Sequence, residues 1–215
     1  MKIYDVSMMI DQDMQVYKNK KDKKPVIETV SDFSYASSHE TKISMNLHTG
    51  THLDFPLHML PKGETSDALD LTKLIREVKV FDMTHLQDAI TANDLIKKDI
   101  KQNDFILFKT RNSSEDFYNN DFIYIKEDAS QYLASKKIVG VGVDGLGVER
   151  DQKDHPTHKI LMNHDILIIE GLRLHNIKEG KYFMYALPIK IKHVDALPLS
   201  VILIEEPYEN IPSNT

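Results

Sequence analysis

Short apolar runs separated by polar, turn-rich segments predict a chain that mixes strands and helices. Strand-like runs occupy residues 3–9, 43–47, 78–83, 105–108, 138–143, 166–169 and 199–204. Helical patterns occupy residues 70–78, 91–100, 126–136 and 156–162. The strands and helices do not alternate strictly. The pattern therefore predicts a single α/β domain over residues 1–215, built on a mixed sheet.

One segment, residues 43–58, combines an apolar and a polar periodicity. Its odd positions are mostly apolar. Its even positions carry polar side chains, among them His48, His52, Asp54 and His58. Side chains of an extended chain alternate between two faces, so one face would join the core and the other would carry three imidazoles and a carboxylate. Because an unbroken strand of this length is improbable, we expect a bend at Gly50 or Pro56.

The polar face of this segment is interpreted as a metal site. Neutral imidazole and carboxylate are good ligands for zinc and for manganese. The alternative is an ordinary solvent-facing surface, which is the usual environment of a lone histidine. Three of the ten histidines fall within residues 48–58, and Asp54 shares their face. This combination favours a metal site over a solvent-facing surface.

Composition narrows the classes of function. The chain has 215 residues, of which 41% are hydrophobic and 28% charged, as in ordinary globular proteins. It has no apolar run of membrane-spanning length and no signal-peptide pattern, so we expect a cytoplasmic protein. The net charge of −6 comes without a basic stripe, which argues against nucleic acid or a membrane as partner. Cysteine is absent, so nitrogen and oxygen must hold any metal.

Residues 48–58 resemble a family signature. The stretch His48-Thr-Gly-Thr-His52-Leu-Asp54-Phe-Pro-Leu-His58 is similar to the HxGTHxDxPxH motif of the cyclase-like metal-dependent hydrolases, which include bacterial kynurenine formamidase and isatin hydrolase. A second stretch, from His158 to Glu170, resembles the family block in which a helix carrying histidine precedes a strand ending in glutamate. Residues 4–7 resemble the family's first strand, so the likeness spans most of the chain.

The resemblance implies a role for each matched residue. His48, His52 and Asp54 would hold one divalent metal. Asp54 would bridge to a second metal held with His158 and Glu170. His58 would be the acid/base histidine, and Glu170 is the other candidate catalytic residue. The resemblance also implies one or two metal ions per chain, with Zn²⁺ expected first and Mn²⁺ second.

The fold implied is an α/β domain of the swivelling β/β/α type, with a mixed barrel-like sheet flanked by helices, assembled as a homodimer or homotetramer. The activity implied is hydrolysis of a C–N amide bond in a small molecule, N-formylkynurenine or a related aryl formamide. Two alternatives remain open. The chain could open a cyclic amide, as isatin hydrolases do, or it could be a non-catalytic metal-binding protein on the same fold.

Two departures from the family pattern affect the substrate rather than the metal residues. Relatives of the formamidase type carry an aromatic-Pro-Gly loop near the N-terminus. Here Tyr17 stands for the aromatic residue, but the Pro-Gly is missing. The family segment before the second block has a serine after the aspartate, whereas Gly145 follows Asp144 in this chain. The sequence alone therefore leaves the substrate open.

Weaker motifs are given ordinary interpretations. Residues 140–145 match GxGxxG, but no helix pattern follows at once, so a nucleotide loop is not expected. Residues 113–114 are two serines without the flanking glycines of a nucleophile elbow, which argues against a serine hydrolase. Asp144, Glu149 and Arg150 are expected in an exposed loop, with the rim of the pocket as the alternative.

Overall fold

The computed structural model describes residues 1–114 and 121–205. The predicted domain, 1–215, thus includes residues 115–120 and 206–215, which lie outside the described part. The strands in chain order are β1 (Lys2–Asp5), β2 (Val26–Ser31), β3 (Glu40–Ser44), β4 (His52–Asp54), β5 (Ile75–Asp82), β6 (Ala89–Ile90), β7 (Phe105–Lys109), β8 (Tyr124–Ile125), β9 (Gly140–Val143), β10 (Leu167–Glu170), β11 (Gly180–Pro188) and β12 (Ala196–Glu205). The α-helices are α1 (Ala92–Leu95), α2 (Glu127–Ser135) and α3 (Pro156–Asn163).

Seven strands close into a mixed barrel in the order β12-β11-β5-β7-β9-β10-β4, with β4 pairing back to β12. Strands β5, β7, β9 and β10 run parallel, and the remaining pairs are antiparallel. Strand β4 pairs with the beginning of β12, and β1 pairs with its end. The predicted α/β fold with a mixed barrel-like sheet and flanking helices is confirmed.

Small and large side chains complement one another inside the barrel. Phe105 and Leu107 of β7 belong to the interior core and are fully buried. On the adjacent strand β9, a methyl group added at Gly140 would overlap the Phe105 ring, and one added at Gly142 would lie 2.5 Å from Leu107 Cδ2. The glycines of the GxGxxG match therefore make room for neighbouring core side chains, which explains them without a nucleotide.

The three α-helices cover the outer face of the parallel strands. Leu95, Leu133 and Leu161, one from each helix, join the outer core with Ile106 and Phe108 of β7. The helices predicted over 126–136 and 156–162 are confirmed as α2 and α3. In the part of the chain that the structure describes, no helix has both the length and the apolar character needed to cross a bilayer.

The helix predicted over 91–100 is correct at its start and too long. Thr91 and Asp94 form the predicted capping box, in which each side chain satisfies an amide of the first turn. The helix ends at Leu95, which is its one buried residue. Residues 96–99 do not belong to the buried core. Because packing supplies most helical stability, nothing extends so short a helix through them.

The prediction of a helix over 70–78 is wrong. Residues Leu71–Lys73 form a single 3₁₀ turn, and strand β5 begins at Ile75. Strand β5 pairs with β11 on one side and β7 on the other, which buries Val78 and Val80. Pairing of residues 75–80 with β11 outweighs the local helical pattern. Strand β11 was missed by the sequence prediction.

The strand predicted over 43–47 is placed too late and in the wrong environment. Strand β3 ends at Ser44 and pairs with β2 in a hairpin separate from the barrel. Its side chains are exposed, including Ile43 at 51%. The first part of the alternating segment therefore does not face the core. Strand β2, like β11, was not predicted.

Candidate metal centre

The segment that carries the motif is bent at both predicted places. Gly50 has a φ of +75°, a left-handed conformation that glycine adopts without steric cost. Residues Pro56–His58 leave the strand as a 3₁₀ turn. Strand β4 between them lies with β10 on one side and β12 on the other. The alternation thus holds from His52 to Phe55, where the apolar side chains enter the interior core.

Register places the second block opposite the motif. His52 on β4 is the cross-strand partner of Glu170 on β10. His52 Nε2 lies 3.3 Å from Glu170 Oε2 and 3.3 Å from Asp54 Oδ1. His158 arrives from α3, with Nε2 at 3.3 Å from Glu170 Oε1 and 3.6 Å from Asp54 Oδ2. Residues from three elements therefore meet around the Asp54 carboxylate.

The remaining motif residues complete the other side of this cluster. His48 Nδ1 lies 2.9 Å from Asp54 Oδ1. The ring of His58 stacks beside it, with 4.0 Å between the two ring centroids. Potential ligand atoms of His48, Asp54 and His58 lie within 4.8 Å of one another, as do those of His52, Asp54 and Glu170. Asp54 belongs to both groups, an arrangement that suits a bridging carboxylate.

Buried polar atoms in the cluster make close charged contacts but no well-oriented hydrogen bonds. His52 Nε2 and both carboxylate oxygens of Asp54 are inaccessible to solvent and form no such hydrogen bond, although oppositely charged groups lie within 3.6 Å of them. Leaving such groups buried and unpaired is costly, and a cation bound between them removes the cost. A divalent metal held by imidazole nitrogen and carboxylate oxygen therefore fits the residues that are present.

The opposite charges in the cluster shift the pKa values of both kinds of side chain so that the charged forms are favoured. Burial alone would lower the pKa of His52, but the close carboxylates of Asp54 and Glu170 outweigh it and raise the pKa to about 10. Burial and the charge of Asp54 would raise the pKa of Glu170, but the close imidazoles of His158 and His52 lower it to about 2. Without a metal, the imidazoles take protons to balance the buried carboxylates. A divalent cation supplies the same charge, so metal binding releases protons here.

Sequence reasoning missed two carboxylates that hold the histidine rings. Glu149 is 2% exposed, and its Oε1 accepts a hydrogen bond from His158 Nδ1 at 2.5 Å. Asp195 Oδ2 lies 2.9 Å from His48 Nε2, although the two residues are 147 positions apart in the chain. No local pattern marks either carboxylate. The contact of Asp195 depends on the pairing of β12 with β4, and the contact of Glu149 depends on how the loop between β9 and α3 folds.

The expectation that Asp144 and Glu149 lie in an exposed loop is wrong. Asp144 is 1% exposed and accepts hydrogen bonds from Thr110 and Ser113, while Glu149 turns inward to His158. Burial of a carboxylate requires donors, and the turn after β7 supplies them for Asp144. The alternative placement at the pocket is correct for Glu149, which lines the cavity described next.

An open cavity of about 160 Å³ leads from the surface to the cluster. Imidazoles and carboxylates form part of its lining, among them His48, His58, His158, Glu149 and Glu170. Tyr17, Lys23, Met59 and Leu146 form most of the remainder. The cavity gives a small molecule access to the polar cluster from one side.

The family follows from comparison with known proteins. A family model described as putative cyclase matches residues 4–150. The chain belongs to the cyclase family. The matched range includes the whole of residues 48–58 and ends before His158 and Glu170, so the structure is what joins the second block of this cyclase to the motif.

Relatives of this cyclase support the same class. The kynurenine formamidase of Salinibacter ruber is 32% identical over 168 residues, covering 77% of this chain and 79% of the relative. Cyclase-like protein 3 of Oryza sativa subsp. japonica is 30% identical over 183 residues, covering 78% of this chain and 66% of the relative. The solved structure of a predicted metal-dependent hydrolase from Bacillus stearothermophilus is 48% identical, with a TM-score of 0.86, covering 94% of this chain and 97% of that one.

Isatin hydrolase A from Labrenzia aggregata shares the fold of this cyclase, with a TM-score of 0.80 over 94% of this chain and 93% of that one, at 22% identity. The predictions of family, of a hydrolase enzyme and of a metal-dependent amide hydrolase class are confirmed at the level of the family. The structure brings together all of the predicted site residues. Their individual roles stay predictions.

Proposed function

We propose that this chain hydrolyses the C–N bond of an aryl formamide, with N-formylkynurenine as the first substrate to try. The observation that carries the proposal is the set of buried ligand atoms of His52 and Asp54 without hydrogen bonds, which contact the His48, His158 and Glu170 side chains that line an open cavity. The relative from Salinibacter ruber is named a kynurenine formamidase, which supports the choice of substrate. A structural metal site would be closed, whereas this one faces a cavity.

The residues proposed to hold the metal form two overlapping sets around the shared carboxylate. One set is His48, His52 and Asp54, and the other is Asp54, His158 and Glu170. Both Zn²⁺ and Mn²⁺ accept nitrogen and oxygen ligands. Zn²⁺ is proposed first and Mn²⁺ second. When bound, such a metal lowers the pKa of a coordinated water and polarises the substrate carbonyl. Glu170 contributes a charged carboxylate to the same wall and is proposed as both ligand and catalytic residue.

His58 is proposed to move the proton that the reaction requires. Burial and the neighbouring His48 and His158 lower its pKa, although the charges of Asp54 and Glu170 oppose the shift. The ring is therefore neutral at neutral pH and can accept a proton from the attacking water. Its side chain is 25% exposed at the cavity, so it can return the proton to the leaving nitrogen.

Opening of a cyclic amide is the second candidate. The loop that holds Tyr17 lacks the Pro-Gly of the formamidase type, so the cavity wall differs where a substrate ring would lie. The fold shared with isatin hydrolase A is consistent with this candidate but carries no substrate information. Comparing hydrolysis of N-formylkynurenine with that of isatin separates the two. A protein that binds metal and hydrolyses neither would favour the non-catalytic alternative.

The experiment measures metal per chain and hydrolysis of N-formylkynurenine in the same preparations. Asp54→Ala should lose both, because it removes the carboxylate that the two ligand sets share. His58→Ala should keep the metal and lose rate, and His39→Ala, on an exposed loop, is the matched control. Full metal content in Asp54→Ala would refute the site, and loss of metal in His58→Ala would make His58 a ligand.

Assembly and location stay predictions. We propose a homodimer or homotetramer in the cytoplasm that acts on a small-molecule amide and does not bind nucleic acid or membranes. Light scattering coupled to size-exclusion chromatography tests the assembly.

A further inference from the structure

The cavity wall contains a lysine whose backbone is tied to the motif. The Thr49 hydroxyl, next to His48, donates a hydrogen bond to the carbonyl of Lys23 at 2.9 Å. Thr49 is 2% exposed, so this contact is buried. Lys23 ends the 3₁₀ turn Lys21–Lys23 and lines the cavity together with Tyr17. Its position is therefore set by the same turn that positions the first histidine of the motif.

The ammonium group of Lys23 has no carboxylate partner among residues 1–114 and 121–205. Its Nζ lies over the Tyr17 ring, 5.4 Å from the ring centroid. Five lysines lie between positions 18 and 24, and a charge run of this kind is usually a solvated surface. Lys23 is half-buried, as is Lys24, and it differs from the other four because it lines the cavity. A cation in this position favours an anion in the cavity.

The wall around Lys23 is suited to a flat apolar group. The Tyr17 ring packs edge-on against Phe122, with 6.3 Å between centroids, and Phe122 is fully buried. Met59 and Leu146 supply the other apolar atoms of the wall. The imidazoles and carboxylates of the cluster line the same cavity as Lys23. The cavity therefore offers three kinds of contact at once, namely polar cluster, aromatic surface and cation.

We propose that the cavity binds aryl amides that carry a carboxylate, and that Lys23 is the specificity-determining residue for that anion. Tyr17 contacts the aryl group, and the amide extends toward the cluster around Asp54. The reacting end of this ligand rests on the proposed function. Binding of the carboxylate by Lys23 does not, because it requires no hydrolysis.

The test uses matched pairs of ligands with and without the charge. For binding, aniline is compared with the three aminobenzoates by calorimetry on metal-loaded protein. For hydrolysis, formanilide is compared with its three ring-carboxylate isomers. Lys23→Gln removes the charge, Lys23→Arg keeps it, and Lys18→Gln removes a lysine that contacts the same Tyr17 ring, at 5.3 Å, without lining the cavity. Metal content and thermal stability are measured for each variant.

We expect Lys23→Gln to weaken binding of at least one aminobenzoate about tenfold relative to aniline, the usual size for a partly exposed charge-assisted hydrogen bond. The preference in kcat/KM for the carboxylate substrate should fall by a similar factor through KM. Lys23→Arg should restore most of both, and Lys18→Gln should behave as the wild type.

Equal binding of all aminobenzoates by the wild type and Lys23→Gln would overturn the proposal, since the anion would then bind the metal or nothing. An equal loss in Lys18→Gln would overturn it as well, because the effect would come from general surface charge. If the wild type hydrolyses none of the amides but binds aminobenzoates through Lys23, the proposed function fails and the anion subsite stands.

Discussion

Glu149 holds His158 from the side opposite the cluster. Its Oε1 accepts hydrogen bonds from the ring Nδ1 and, at 3.0 Å, from the backbone amide of His158. Its Oε2 accepts from the amide of Thr157 at 3.2 Å and from the Gln152 side chain at 2.8 Å. With Nδ1 donating, the lone pair of Nε2 faces Asp54 and can bind a cation. Burial would raise the pKa of Glu149, but hydrogen bonding to His158 lowers it.

The substitution Glu149→Gln tests this arrangement with almost no change in shape. All four neighbours donate, and the new amide contains an NH₂ group that also donates. In either orientation the NH₂ faces two donors, so one end of the side chain loses its hydrogen bonds. Because buried donors left unpaired cost about 1–3 kcal/mol each, we expect the free energy of unfolding to fall by about 2–4 kcal/mol. Metal affinity should fall about 10- to 100-fold, as for other residues that orient a ligand histidine.

The assay combines a competition titration with a chelator, which gives the metal Kd, and urea unfolding with and without metal. Glu28→Gln is the matched control, because that carboxylate is 51% exposed on β2 and its ion pair with Lys42 spans 3.6 Å. Its unfolding free energy should change by less than about 0.5 kcal/mol, as for most surface substitutions. A Glu149→Gln protein with the wild-type Kd would refute the reasoning, since His158 would then present Nε2 without help from the carboxylate.

Two further substitutions test the surroundings of the cluster. Gly171→Ala should lower the free energy of unfolding by about 2–4 kcal/mol, because φ is +71° there and the new methyl group would overlap the Gly50 carbonyl that contacts the His52 ring. Urea unfolding measures the loss, and wild-type stability would show that the backbone relaxes freely. Asp144→Asn should cost about 1–3 kcal/mol, because its NH₂ group would face either the Thr110 hydroxyl or the Thr110 amide and the Ser113 hydroxyl, all of which donate to the carboxylate. An unchanged midpoint in thermal unfolding would show that a hydroxyl turns to accept from the new amide and that no donor is left unpaired.

Much of the metal centre could be predicted from one short segment. Four of its residues lie within positions 48–58, and the turn and strand that hold them span only these residues. Alternation identified the polar face, although it holds only from His52 to Phe55. The second block was also predicted correctly as a helix carrying His158 followed by a strand ending in Glu170. Each of these elements is formed by residues that are close together in the sequence, so it can be predicted without knowing the rest of the fold.

The errors occur where a distant partner decides the local structure. Residues 75–78, predicted as the end of a helix, begin strand β5 because β11 pairs with them, and their local helical pattern could not reveal that. Strand β11 itself places Tyr182, Met184 and Ala186 in the core, but its outward positions 183 and 185 are aromatic, so no polar alternation marks it. Packing against the sheet, rather than intrinsic propensity, selects the conformation.

The sequence by itself determined the family motif, the ligand types and the absence of thiolate ligands, because these depend on residue identity and on spacing within a few positions. Only the tertiary structure decided which carboxylates support the histidines. Glu149 approaches His158 through the loop after β9, and Asp195 reaches His48 from a position 147 residues away. Closing the barrel through β4 and β12 brings Asp195 to His48, and the fold of the loop between β9 and α3 brings Glu149 to His158. Contacts of that kind depend on chain topology, which no local sequence pattern specifies.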